Sequence, residues 1–356
     1  MIAQNIWLWG IVAALAFLGS LAVSGFMSLA GLGDASDGRS AHSGVIPTSG
    51  GVGIVAGMGL SLCALNFMFS NLELPSGFAP VMALFFAIAM LGLVDDALTL
   101  GPKIKFGLML LICGAAVWLI GPPQTLPSFG APISLPPVLG FTGAMLWIFV
   151  VMNAVNFMDG ANGMMGMSLA IANFALFGVA MMGGSTATLL LSGLSLMVIL
   201  GFLPYNVRRR ARVFAGDVGS LSLSFLFAVS VLFLLAETSD GVFHLMGPVL
   251  ILPILTDVLL TLVRRVKRRE NLLQSHNTHL YQRLIQRGFG HLTVSWWYAL
   301  AALVFANIVV IGSPRGWFNT LSVSLVLVGV VVAAYVLLGR ALSRPASANA
   351  RNDESG

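Results

Sequence analysis

Long apolar runs dominate the chain, and short polar segments separate them. A helix needs about 20 mainly apolar residues to cross a membrane, whereas the strands of a membrane barrel would alternate apolar and polar residues. The runs are continuous, so they predict an all-α polytopic membrane protein with about eleven transmembrane helices. The helices are expected at residues 7–30, 50–70, 78–94, 104–121, 139–157, 163–182, 186–204, 218–236, 243–263, 294–312 and 317–338.

Composition excludes the other structural classes. Of the 356 residues, 58% are hydrophobic and only 9% are charged. A soluble protein of this composition would lack polar residues to cover its surface, and a disordered chain needs low hydrophobicity and high charge. We expect one integral membrane domain over residues 1–340 and a polar, disordered cytoplasmic tail over 341–356. Six prolines in residues 121–138 predict an extended or hairpin-like segment there, because proline blocks helices.

The basic residues predict the orientation in the membrane. With the N-terminus outside, 17 of the 18 Lys and Arg residues fall in inner loops or in the tail, and only Arg315 falls outside. Such an excess of Lys and Arg marks the cytoplasmic side. The pI near 9.7 is therefore a property of the inner surface, and we expect a lipid bilayer rather than nucleic acid as the partner.

Carboxylates at inner helix ends are the first candidates for chemistry. Asp95 and Asp96 are adjacent and repel each other unless a cation or a proton is shared. A divalent metal or a proton-transfer role would resolve that repulsion, whereas the simpler interpretation is a solvated helix end. Asp257 is the one carboxylate inside a predicted span, where charge is costly and therefore a functional candidate, although a structural role is equally open.

Two polar stretches follow at other inner helix ends. The first contains Asn153, Asn156 and Asp159, spaced about one helical turn apart, so they share a helix face. The second places Asp217 and Ser220 at the start of the eighth span, between glycines, which suits an anion or a metal phosphate. The alternatives are a polar turn with helix caps for the first stretch and a simple N-cap for the second.

Basic groups complete the inner face. The loop over residues 264–291 holds seven Lys and Arg residues with His276, His279 and His291, and Arg39 and His42 precede the second span. Histidines beside arginines suit phosphate recognition, while positive-inside charge alone explains the arginines. Carboxylates that bind Mg²⁺, together with arginines, are typical of phosphoryl transfer.

The order of these motifs resembles the polyprenyl-phosphate N-acetylhexosamine-1-phosphate transferases of the MraY/WecA type. The similarity covers the Pro–Gly-Gly, Asp-Asp–Lys, Asn-x-x-Asn-x-x-Asp-Gly and Gly-Asp-x-Gly-Ser motifs and a histidine loop. It implies an enzyme of the bacterial inner membrane with a cytoplasmic active site. That enzyme transfers N-acetylhexosamine-1-phosphate from a UDP-sugar to undecaprenyl phosphate and releases UMP. The product would start O-antigen, lipopolysaccharide or other cell-wall polysaccharide synthesis.

The resemblance also implies roles for individual residues. Asp95, Asp96, Asp159 and Asp217 would be catalytic, and Asp217, Asp95 and Asp96 would bind Mg²⁺, with Mn²⁺ as the alternative cofactor. A homodimer is one alternative for the oligomeric state. The nucleotide sugar would be bound by Asn153, Asn156, Asp159, Gly160, Asn162 and Phe214, and the phosphates by Lys103, His276, His279 and Arg39.

Two departures from the family pattern change the expectation. Asn162 stands where the family usually has a second aspartate, and the histidine loop lacks the clustered histidines of the peptidoglycan translocase. The second departure favours the O-antigen-initiating branch and leaves the donor open among N-acetylglucosamine, N-acetylfucosamine and N-acetylquinovosamine. A membrane transporter and a catalytically inactive scaffold of a polysaccharide assembly complex are the alternative functions. The transporter conflicts with the position of the carboxylates at inner helix ends, and the inactive scaffold rests on Asn162.

Overall fold

The computed structural model describes residues 6–31, 46–69, 71–129, 131–238, 245–272, 274, 277–312 and 320–342. These residues form an all-α protein with one small hairpin, and ten of the helices are long and apolar enough to cross a membrane. The helices are α1 (Ile6–Ala30), α2 (Gly51–Met68), α3 (Phe78–Leu98), α4 (Pro102–Ile120), α5 (Pro137–Met158), α6 (Met164–Gly183), α7 (Thr186–Asn206), α8 (Gly216–Glu237), α9 (Met246–Leu250), α10 (Leu252–Lys267), α11 (Leu280–Gln286), α12 (His291–Gly312) and α13 (Thr320–Ala341).

Ten of the predicted spans therefore have a matching long helix, but the segment predicted as one span over 243–263 does not form one helix. Its described part is divided into the short α9 and the amphipathic α10, with the break at Ile251. Pro253 lies directly after the break, and a proline cannot continue a preceding helix without losing a hydrogen bond. The total number of spans and the orientation of the termini stay predictions.

The proline-rich connection between α4 and α5 forms the predicted hairpin. Strand β1 (Thr125–Leu126) pairs antiparallel with β2 (Ile133–Ser134), and Thr125 lies opposite Ser134. Prolines before β1 prevent α4 from continuing, whereas Pro137 is tolerated as the first residue of α5. The predicted tail over 341–356 lies almost wholly outside the described residues.

Helix α8 is the centre of the bundle. In its most apolar window 94% of the residues are buried, against 17% for α1 and for α13. Its serines bond within the helix, since Ser222 and Ser230 each donate to a carbonyl four residues earlier. Helices α2, α3, α5 and α7 pack around α8. The residues at the start of α8 are therefore enclosed by the ends of several neighbouring helices.

Small residues let α1 and α2 approach closely. A Cβ atom on Gly57 of α2 would lie 2.5 Å from the carbonyl oxygen of Ala16 and 2.7 Å from the backbone nitrogen of Ser20. Ser20 also donates to the carbonyl of Val198 in α7 at 2.7 Å. Such contacts between small residues hold membrane helices together, because lipid provides no hydrophobic driving force between them.

We expect Gly57→Ala to destabilise the fold, by roughly 1–3 kcal/mol, because its methyl group would overlap backbone atoms of α1. The matched control is Gly178→Ala in α6, where an added Cβ meets no atom within 4 Å. Thermal unfolding in detergent should show a lower midpoint for the first variant and an equal or higher midpoint for the second. Equal midpoints for Gly57→Ala and wild type would contradict the close packing of α1 and α2.

Candidate functional site

A left-handed glycine opens the central helix. Gly216 has φ +64°, and a Cβ atom there would lie 2.2 Å from the carbonyl oxygen of Thr48 and 2.9 Å from Oδ2 of Asp96. Only glycine fits both the conformation and the space. The chain can therefore turn sharply into α8 and present Asp217 directly after the turn.

Asp96 binds the start of α8. Its Oδ1 accepts a hydrogen bond from the Asp217 backbone N–H at 3.3 Å, and its Oδ2 accepts one from Val218 at 3.4 Å. These N–H groups belong to the first turn of a helix, where no backbone partner exists. Gly92 allows this approach of α3, since a Cβ atom there would lie 2.6 Å from the Val218 nitrogen. Asp96 is thus more than a solvated helix end.

Lys105 forms ion pairs with Asp95 and Asp217. Its Nζ lies 2.7 Å from Oδ2 of Asp95 and also forms an ion pair with Oδ2 of Asp217. The Lys105 side chain is only 11% exposed, so the pairing takes place largely away from water, where opposite charges attract more strongly. Oδ1 of Asp95 accepts from the Leu100 backbone at 2.8 Å, which fixes the carboxylate in the turn between α3 and α4.

Helix α5 supplies an amide to the same cluster. Nδ2 of Asn156 donates to Oδ1 of Asp217 at 2.7 Å and to Oγ of Ser220 at 2.8 Å. Both oxygens of Asp217 are therefore engaged, one by Asn156 and one by Lys105. Asn153, one turn earlier, donates to the carbonyl of Phe149 in its own helix at 2.7 Å. Of these two predicted residues, the structure brings only Asn156 into contact with Asp217.

Asp159 follows the end of α5 and connects it to α8. Its Oδ2 accepts from the Gly216 backbone N–H at 2.9 Å. Burial raises the pKa of Asp159 well above its usual range, and the negative charges of Asp217 and Asp96 act in the same direction. The four predicted catalytic aspartates therefore meet around the first turn of α8, together with Lys105. We call Asp95, Asp96, Asp159, Asp217 and Lys105 the carboxylate cluster.

The other residues predicted for nucleotide-sugar binding hold neighbouring loops. Asn162 is fully buried, and its Nδ2 donates to the carbonyls of Arg208 at 2.7 Å and Arg209 at 3.2 Å. Phe214 is 4% exposed, and its carbonyl accepts from Gly50 at 2.9 Å. Gly160 lies half-buried beside Asp159. Contacts of these three residues with the nucleotide sugar stay predictions.

The predicted phosphate-binding residues are not gathered in one place. Arg39 and His276 lie outside the described residues. Lys103 is exposed in the first turn of α4. His279 is 1% exposed, precedes α11, and its Nδ1 lies 3.6 Å from Oδ1 of Asp257. Their phosphate contacts also stay predictions.

Sequence reasoning missed Lys105 as a site residue. Lys103 and Lys105 are two positions apart, and residues at that spacing point about 200° apart around a helix, so only one of them can face Asp217. The sequence shows that one lysine of the pair is turned away, but it does not show which. Ser220, which the sequence places in the same motif as Asp217, also contacts the cluster through Asn156.

The donor atoms of the cluster fit Mg²⁺. Within the described ranges no group of three His, Cys, Asp or Glu side chains is arranged to hold a metal ion. Mg²⁺, however, usually takes one or two carboxylates and completes its shell with water and substrate phosphates. Asp95 and Asp217 offer this oxygen set, and both already bind one cation, the Lys105 ammonium. The site is thus built for positive charge.

Comparison with known proteins identifies relatives over most of the chain. The family model of glycosyl transferase family 4 matches residues 78–235. The chain is 26% identical over 308 residues to a probable undecaprenyl-phosphate N-acetylglucosaminyl 1-phosphate transferase of Bacillus subtilis (strain 168), covering 84% of this chain and 82% of that protein. Undecaprenyl-phosphate alpha-N-acetylglucosaminyl 1-phosphate transferases of Escherichia coli (strain K12) and Salmonella typhi are 28% and 29% identical, each covering 76% of the relative and 79% and 78% of this chain.

The family match coincides with the carboxylate cluster. Residues 78–235 run from the first residue of α3 almost to the end of α8 and include all four clustered aspartates and Lys105. The relatives extend the similarity beyond α8. The region from α3 to α8 is therefore similar to glycosyl transferase family 4, in agreement with the resemblance seen in the sequence motifs.

Proposed function

We propose that the protein transfers N-acetylhexosamine-1-phosphate from a UDP-sugar to undecaprenyl phosphate and releases UMP, at the cytoplasmic face of a bacterial inner membrane. The observation that carries the proposal is the carboxylate cluster, in which Asp217 at the start of α8 is held by Lys105 and Asn156. The printed names of the relatives give undecaprenyl phosphate as their acceptor and N-acetylglucosamine 1-phosphate as the transferred group. UDP-N-acetylglucosamine is therefore the first donor to test.

The cluster suits phosphoryl transfer between two charged substrates. A lipid phosphate monoester is largely dianionic near neutral pH, since its second pKa is about 6, so little proton remains for a base to remove. Positioning of the substrates and neutralisation of their charge should then account for most of the decrease in the activation barrier. Lys105 supplies one positive charge, and Asn156 orients Asp217.

Asp217 and Asp95 are the residues that would hold Mg²⁺. When bound, Mg²⁺ supplies neutralisation of the negative charge on phosphate oxygens. Asp96 instead holds the first turn of α8 through two backbone N–H groups, which keeps Asp217 in place. This division gives the adjacent pair of aspartates two different roles.

The geometry favours direct attack by the lipid phosphate over a covalent aspartyl intermediate. Both oxygens of Asp217 are engaged, by Asn156 and Lys105, and both oxygens of Asp95 are engaged, by Leu100 and Lys105. A carboxylate whose oxygens carry hydrogen bonds and ion pairs is a weaker nucleophile than a free one. The aspartates are thus better suited to bind and orient than to attack.

The transporter alternative finds less support. It would place ionisable residues near the middle of the membrane, whereas Asp95, Asp159 and Asp217 lie at helix ends. The scaffold alternative rests on Asn162, but the buried amide of Asn162 donates a hydrogen bond to the carbonyl of Arg208 and so stabilises the fold. Neither alternative accounts for the carboxylate cluster.

The first test is UMP release by purified protein with undecaprenyl phosphate, Mg²⁺ and a panel of UDP-amino sugars. We expect release with one donor, its loss on adding a chelator, and a decrease of roughly a thousandfold in Asp217→Asn, since several kcal/mol of charge stabilisation would disappear. Glu237→Gln at the other end of α8 is the control, because the contacts described for Glu237 are hydrogen bonds accepted from Ser185 and Ala187, far from the carboxylate cluster along α8. No release with any donor by folded protein would refute the proposal.

Substitutions of the two lysines at the start of α4 test which one acts in the reaction. The structure favours Lys105, whereas the sequence predicts Lys103. We expect Lys105→Gln to lower kcat by roughly a hundredfold, because the charge paired with Asp95 and Asp217 is lost. Lys103→Gln should cost less and act on KM for the charged substrates, as a remote phosphate contact would. A larger loss of kcat in Lys103→Gln than in Lys105→Gln would reverse the assignment.

Asn162→Asp restores the residue that the family usually has, yet we expect it to impair this protein. The Asn162 amide donates to the carbonyls of Arg208 and Arg209, and a carboxylate would face those oxygens with no proton to donate. We expect a loss of roughly 1–3 kcal/mol in unfolding free energy, larger than the loss in Asn162→Ala. Higher UMP release by Asn162→Asp would show instead that the aspartate's charge is needed.

A further inference from the structure

A second buried polar cluster lies outside the carboxylate cluster. Asp257 in α10 is 1% exposed, and its carboxylate accepts hydrogen bonds from the backbone N–H groups of Leu280 at 2.7 Å and Tyr281 at 3.1 Å. The Tyr298 hydroxyl in α12 donates to it at 2.6 Å. A buried carboxylate is costly unless it is fully hydrogen-bonded, and these donors come from two separate helices. Asp257 therefore fastens α11 and α12 to α10.

The same cluster reaches the last helix and a histidine. Thr261, one turn after Asp257, donates to its Oδ1 at 3.3 Å and shares a hydrogen bond with the Tyr335 hydroxyl of α13 at 2.9 Å. His279 lies against the carboxylate, with 3.6 Å between Nδ1 and Oδ1. The segment from α10 to α11 is thereby attached to the bundle at one buried point.

Tyr281 extends this attachment to the carboxylate cluster. Its side chain is 1% exposed, and its hydroxyl donates to the carbonyl oxygen of Phe157 at 3.0 Å. Phe157 lies in the last turn of α5, where carbonyl groups have no partner within the helix. It follows Asn156 directly and precedes Asp159 by two residues. The ring of His279 also packs on the Phe157 ring, with 5.7 Å between centroids.

We propose that Asp257 and Tyr281 are positioning residues for the transfer reaction. Asp257 holds the first residues of α11, Tyr281 then holds the end of α5, and the end of α5 presents Asn156 and Asp159 to α8. The inference rests on the proposed function and adds to it a link from the α10–α11 segment, which lies outside the matched region 78–235.

The geometry makes the end of α5 sensitive to this link. Hydrogen bonds connect it to the start of α8: Asn156 donates to Asp217 and to Ser220, and the Gly216 N–H donates to Asp159. If the carbonyl of Phe157 lost its tyrosine partner, the last turn of α5 would be free to shift. The hydrogen bonds between the end of α5 and the start of α8 would then change together, and with them the orientation of Asp217.

Tyr281→Phe tests the link by removing a single hydroxyl. The matched control is Tyr335→Phe, which also removes one buried tyrosine hydroxyl but only its bond to Thr261. We expect kcat for UMP release to decrease about ten- to hundredfold in Tyr281→Phe, as for other small misplacements of reacting groups, with a smaller change in KM. The control should keep wild-type kcat although both variants lose thermal stability.

Asp257→Asn is a second variant that tests the contacts from Asp257 through Tyr281 to Phe157. It weakens the acceptor for Leu280 and Tyr281, so it should lower kcat as well. In the Asp257→Asn background, Tyr281→Phe should cost much less than in wild type, because residues that act through one another are not additive. Equal kcat in Tyr281→Phe and Tyr335→Phe, or fully additive losses, would overturn the proposal.

Hydrogen exchange separates this inference from the proposed function. Amides over residues 153–160 should exchange faster in Tyr281→Phe than in wild type and Tyr335→Phe, whatever reaction the protein catalyses. If wild type released no UMP but exchange still rose only in Tyr281→Phe, the proposed function would fail and the link would stand. Unchanged exchange, with active wild type, would remove the link and leave the proposed function intact.

Discussion

The structure depends on placing a charged helix start inside a membrane protein. Asp217 lies in the first turn of α8, the most enclosed helix, among Asp95, Asp96 and Asp159. Buried carboxylates repel one another and lose their hydration, so the arrangement needs compensating groups. The Lys105 ammonium, the Asn156 amide and the backbone N–H groups of α8 provide them. Each compensating side chain comes from a different helix, so the charge balance also fixes how those helix ends meet.

Glycine makes this meeting sterically feasible. At Gly216 the left-handed turn brings the backbone against Asp96 and Thr48, and at Gly92 helix α3 touches the backbone of α8. Gly51 in the first turn of α2 packs in the same way, because a Cβ atom there would lie 2.2 Å from the Gly219 nitrogen. The motif glycines thus serve close helix packing around Asp217, in addition to any contact with a ligand.

The sequence predicts most helices well, because spanning length and apolar composition are local properties. It does not predict the break at Ile251, which divides the described part of 243–263 into α9 and the amphipathic α10. In the site it predicts the four aspartates and Asn156 through their motifs. It does not distinguish Lys105 from Lys103, since that choice depends on which face of α4 packs against α8. Likewise, the buried amide of Asn162 meets the loop at Arg208, 46 residues away, and only the fold shows this contact.

The two polar clusters lie in different parts of the chain and have different roles. The carboxylate cluster lies within residues 78–235, which match the family model, and its groups are the ones to which the proposed function assigns the charged substrates. The Asp257 cluster lies after it, and within the described residues the carboxylate of Asp257 contacts other parts of the protein. The hydrogen bond from Tyr281 to Phe157 connects them. Changes in the α10–α11 segment can therefore alter the geometry at Asn156 and Asp159 without altering any carboxylate of the site.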